Sequence, residues 1–92
     1  MKFTITRLCG GKALMASPAD SMDIDLEKAA VILSEDGFVK KRNEEGLMLI
    51  MDWKGMEVTL YTQGKVMFYP LSEKELAIGY ATDMLEKIRQ KG

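Results

Sequence analysis

Ninety-two residues, 47% apolar and 29% charged, allow one small domain with a single core. There is no histidine and one cysteine, Cys9, which excludes an intrachain disulfide, Ser-His and Cys-His nucleophile pairs and most zinc sites. The formal net charge of −1 departs from the basic balance usual in nucleic-acid binders, no apolar run approaches a membrane span, and the cysteine usage suits a reducing, cytoplasmic compartment.

The start, Met1-Lys2-Phe3-Thr4-Ile5-Thr6, alternates and favours β-branched and aromatic residues. It predicts a strand over residues 2–8 and lacks the apolar core of a signal peptide. Residues 9–22 carry Gly10, Gly11, Ser17 and Pro18 and read as one long loop, a length that often marks mobile or functional segments. Asp23 is placed to cap a helix whose apolar face is Leu26, Ala29, Ala30 and Leu33, with Gly37 as its stop. Lys40 to Gly46 reads as a charged connection.

Three alternating runs follow, Leu47–Met51, Met56–Tyr61 and Lys65–Tyr69, separated by Lys54-Gly55 and Gln63-Gly64 turns in which glycine accepts positive φ. Period two puts Leu47, Leu49, Met51, Val58, Leu60, Val66 and Phe68 on one face, continued by Trp53. Met48, Ile50, Thr59, Tyr61, Met67 and Tyr69 take the other. Ser72 and Glu75 form a capping-box pattern ahead of a final helix with the stripe Leu76, Ala77, Tyr80, Ala81, Met84, Leu85 and Ile88.

The predicted order is β-α-β-β-β-α over one domain, residues 1–92. It implies an α+β fold with a four- or five-stranded antiparallel sheet and two helices on one face. The second sheet face would then stay open, yet it carries Met, Ile, Tyr and Thr rather than a row of charges. Thr59, Tyr61, Met67 and Tyr69, flanked by Met48 and Ile50, are the candidate binding face. The competing reading is a face partly shielded by the 9–22 loop.

Leu60-Tyr61-Thr62-Gln63-Gly64-Lys65-Val66-Met67-Phe68-Tyr69 resembles the central hairpin of a TATA-box-binding-protein repeat. The resemblance follows element order from Leu26 to Ile88 and implies a half saddle. It places Tyr61 where the family often sets its wedging phenylalanine, and Thr59, Met67 and Tyr69 on the face that lies in the DNA minor groove. The family's DNA binders carry two repeats; this chain has length for one, so a homodimer would be needed to restore the saddle. These strands bear no arginine, and Glu57 shares the same side. Double-stranded-RNA-binding domains also end in three strands and a helix, but Ser72-Glu73-Lys74-Glu75 places acids where they grip phosphate.

Other signals are weaker. Gly10, Gly11 and Lys12 offer a candidate anion loop, although the P-loop spacing is missing; the competing reading is a flexible loop that opens on a buried thiol at Cys9. Asp20, Asp23, Asp25 and Glu27 lack the spacing of a calcium loop and read as a solvated helix start. Lys40-Lys41-Arg42 offers a phosphate contact, although such a triplet is more often a solvated turn. No catalytic set, metal site or cofactor motif is visible. The expected function is therefore a non-catalytic binding module that uses the open face for nucleic acid or for self-association as a homodimer. The alternatives are a protein-binding or architectural subunit, or a small-ligand protein built on the 9–22 loop.

Overall fold

The computed structural model describes residues 2–91. Its element order is β1 (Phe3–Leu8), a 3-10 turn (Cys9–Gly11), β2 (Ala13–Pro18), α1 (Leu26–Ser34), β3 (Val39–Glu44), β4 (Met48–Trp53), β5 (Met56–Tyr61), β6 (Val66–Tyr69) and α2 (Lys74–Lys91). One six-stranded sheet runs in the order β1-β2-β6-β5-β4-β3, and every neighbouring pair is antiparallel. The α+β class, the meander and the two helices match the sequence expectation; the four or five strands and the β-α-β-β-β-α order do not.

Two strands account for the difference. The expected 9–22 loop contains β2, which pairs with β1 on one side and with β6 on the other. Leu14 and Ala16 point into the core and are fully buried, so tertiary pairing overrides the weak strand propensity of Ala, Ser and Pro. The expected 40–46 connection contains β3, an edge strand whose charges face solvent and whose register slips between Lys40 and Arg42. Charge and a bulge are both ways of guarding an edge, which is why this strand reads as a loop.

The helices pack on one face of the sheet, where Leu14, Leu33, Leu49, Leu60, Phe68 and Leu85 are fully buried. Leu47 was expected on this face but precedes β4 in a turn and is exposed. Asp25, not Asp23, caps α1: its Oδ1 accepts from Glu27 N and Lys28 N at 3.0 and 3.3 Å. α2 begins at Lys74, so the Ser72–Glu75 capping box does not match its start; the Glu73 carbonyl accepts from Ala77 N at 3.2 Å. Trp53 closes the far end of the core. It stacks on Phe38 (4.3 Å), meets Tyr80 edge-on (4.9 Å), and donates from Nε1 to the Asp36 carbonyl at 3.1 Å.

The expected turns form. Lys54 and Gly55 sit at φ +51° and +77°, the paired left-handed conformation of a two-residue hairpin. Gly64, at φ +99°, closes the β5–β6 hairpin, with its N–H on the Tyr61 carbonyl at 3.0 Å. A Cβ at this position would lie 3.1 Å from Met22 Sδ and from Pro18 Cγ, so those side chains would have to give by a few tenths of an ångström, and the positive φ itself calls for glycine.

Candidate functional site

The strand registers carry one row of side chains across the whole uncovered face: Thr6, Met15, Met67, Thr59, Ile50 and Arg42. A second row joins Tyr61, Met48 and Glu44, and a third joins Tyr69, Glu57, Asp52 and Val39. The alternation that sends Leu60 and Phe68 inward sends these residues outward. All six expected face residues therefore lie together, and Met15 joins them from β2. Sequence reasoning missed Met15 because it fell in the presumed loop, and the uniformly apolar Ala13-Leu14-Met15-Ala16 has no polar–apolar alternation to reveal a strand face.

The face is not uniformly exposed. Thr59 and Ile50 are only 2% and 5% accessible although, among the described residues, no helix lies over them. Their outer cross-strand neighbours in the row are longer side chains, Met67 beside Thr59 and Arg42 beside Ile50. Met15, Met48, Tyr61 and Met67 are half-buried, and Tyr69 is 43% exposed. The 9–22 segment does not lie over this face as a shield; it contributes a strand to it.

Charge on the face is matched locally. Lys41 Nζ lies 3.3 Å from Glu57 Oε2 and 3.8 Å from Asp52 Oδ1. Arg42 Nε pairs with Glu44 Oε1 at 2.6 Å. Lys65, exposed at the head of β6, has no acidic partner among the described residues. The Lys40-Lys41-Arg42 triplet is thus a strand rather than a turn, and each of its cations already has a carboxylate, Lys40 reaching Glu27 at 3.7 Å. A phosphate approaching Lys41 or Arg42 would have to displace a carboxylate from it.

The remaining candidates are dispersed. Gly10, Gly11 and Lys12 form the tight β1–β2 turn, in which Lys12 N donates to the Cys9 carbonyl (3.3 Å) and the Lys12 carbonyl accepts from Leu71 N (2.9 Å). Lys12 lines a shallow cleft with Pro70, Leu71 and Glu73, so an acid shares the space with the expected counter-charge. Cys9, expected to be buried, is exposed at φ +53°. Of the acidic cluster, Asp25 caps α1, and Glu27 accepts from Asn43 Nδ2 at 2.9 Å. Among the described residues no group of three or more Cys, Asp and Glu side chains is arranged to hold a metal ion, and no helix is long and apolar enough to cross a membrane. No known protein family, curated protein or solved structure matches the chain.

Proposed function

We propose that the protein is a non-catalytic binding module whose uncovered sheet face docks an apolar patch of a partner protein. The observation that carries this reading is the chemistry of the face: a Met- and Tyr-rich surface whose β3-side cations are already paired with acids. Methionines adapt to a partner's shape, and tyrosines supply large contact area at low entropic cost. Six strands about 4.8 Å apart and about 20 Å long give a footprint of about 600 Å². A partner docked there would bury somewhat less than the ~800 Å² typical of one side of a stable interface.

The element order from Leu26 to Ile88 supports a half saddle of the TATA-box-binding-protein kind as the finer reading of the fold. The paired cations argue for protein rather than duplex as the occupant of that saddle.

A photo-crosslinking aromatic residue placed at Tyr69 tests the reading, with Val31, exposed on α1, as the control position. The expected result is one discrete protein adduct from position 69 that disappears with Met67→Asp, and none from position 31. Equal adducts from both positions would overturn the reading. So would salt-sensitive amide shifts at Thr59, Tyr61 and Met67 on adding duplex or single-stranded oligonucleotide.

A further inference from the structure

The two edges of the sheet are built differently. β3 is guarded by three consecutive cations and a register slip. β1, at the other edge, is a regular six-residue strand that pairs with β2 without interruption, and Arg7 is its one charge. Its backbone polarity can be read residue by residue. Ala19 N donates to the Lys2 carbonyl at 2.9 Å, which makes Lys2 and Ala19 a hydrogen-bonded pair. Antiparallel pairs alternate, so Thr4, Thr6 and Leu8 also point their N–H and C=O groups at β2. Phe3, Ile5 and Arg7 point theirs away from the sheet, where among the described residues no strand lies beyond β1.

We propose that this edge joins a second copy of the chain, β1 against β1 antiparallel, about a two-fold axis at Ile5. That register is the one that uses every outward group of the strand: Ile5 opposes Ile5 of the second copy, and Phe3 opposes Arg7 in both directions. All three N–H donors and all three C=O acceptors on each copy are then satisfied. The side chains agree with it. Phe3 and Ile5 lie on the helix side, half-buried against the rim of the core, and the pairing extends that apolar rim across the axis. Phe3 comes opposite Arg7, whose Nη1 donates to the Ser72 carbonyl of its own chain at 3.3 Å, and on the other face Thr4 meets Thr6. A shift by two residues in either direction leaves outward groups unpaired. The inference is independent of the partner proposed for the open face; dimerisation would make that face continuous across both copies.

Two experiments test it. By sedimentation, the intact chain is expected to dimerise. Arg7→Pro removes an outward backbone N–H, at a cost of two hydrogen bonds per dimer, and also the exposed guanidinium bond to the Ser72 carbonyl (3.3 Å); Arg7→Ala loses the same side-chain bond, keeps the N–H, and is expected to weaken the dimer less. The expected effect of Arg7→Pro is a dimer weakened by about tenfold or more, with an unchanged circular dichroism spectrum. Met67→Asp, on the open face, is expected to leave the dimer intact. A wild-type chain that stays monomeric at high micromolar concentration would overturn the proposal; so would a dimer that survives Arg7→Pro but is lost with Met67→Asp. The second experiment reads register in a Cys9→Ser background. Ile5→Cys faces its own copy at about 5.5 Å between Cα atoms, within disulfide reach, and is expected to crosslink on mild oxidation. Thr4→Cys faces Thr6 and is expected not to crosslink. Crosslinking of both variants alike, or of neither, would overturn the register.

Discussion

The two faces of the sheet share the same strands and differ in what buries them. On the helix side, Leu60 and Phe68 reach zero accessibility through a second layer of structure. On the open side, Ile50 and Thr59 come within a few per cent of that value with no helix over them among the described residues, beside the longer Arg42 and Met67 of neighbouring strands. Low accessibility therefore does not mean equal energetic weight. A side chain under a helix has contacts above and beside it; one on the open face has contacts beside it alone.

Substitutions can break or sharpen that contrast. Leu60→Ala is expected to have the largest effect, a loss of about 2–5 kcal/mol in urea unfolding, because the helices cannot fully collapse onto the cavity. Gly64→Ala comes next, at about 1–3 kcal/mol. It would impose a side chain at φ +99° close to Met22 and Pro18, so its cost comes from backbone strain and local crowding at the hairpin rather than from a cavity on either face. Met67→Ala is expected to cost about 1 kcal/mol or less, as the half-buried truncation of a lateral contact. A midpoint shift as large as that of Leu60→Ala would mean the open face is structurally equivalent to the covered one.

The smallest effect belongs to the ion pair that links the end of α1 to α2. Lys91 Nζ donates to Glu35 Oε1 at 2.8 Å. That bond lowers the Glu35 carboxyl below its ordinary value and raises the Lys91 ammonium above its own. The Glu35 contribution is present above the ordinary carboxylate range and is lost as pH falls through the lowered value. The Lys91 contribution is present below its ordinary range and is lost as pH rises through the raised value. Both groups are solvent-exposed, so Lys91→Gln should lower the melting temperature only slightly at neutral pH, and that difference should vanish in acid.

Strands whose side chains alternate in hydropathy were legible from sequence, and strands defined by their neighbours were not. Met56–Tyr61 and Val66–Tyr69 announce both their faces and their turns, because each has an apolar side and glycine at the bend. Ala13–Pro18 is a strand because β1 and β6 flank it, and its small residues say nothing of that. Val39–Glu44 hides behind the charges that protect it. The candidate face was legible to the extent that it lies on the meander. Its charge balance was not, because Lys41 and Arg42 were assigned to a turn and their pairing with Asp52, Glu57 and Glu44 depends on β3. Cys9 was misplaced for a related reason: once β2 exists, the residue before it sits at a hairpin tip.

The place of β2 also has a consequence for how the chain folds. Leu14 pairs with Phe68, so the first hairpin is joined to the sheet through a strand from the far end of the sequence. The β3-to-β6 meander needs only local hairpin contacts, whereas the β2–β6 seam must close a loop that contains nearly all of the intervening chain. The seam forms when the β1–β2 hairpin docks on β6, which is the free edge of the meander until β2 covers it. In pulse-labelled refolding, β4 and β5 amides should become protected before those of Leu14 and Ala16, which face β6, with the seam as the step that commits the chain to its native state.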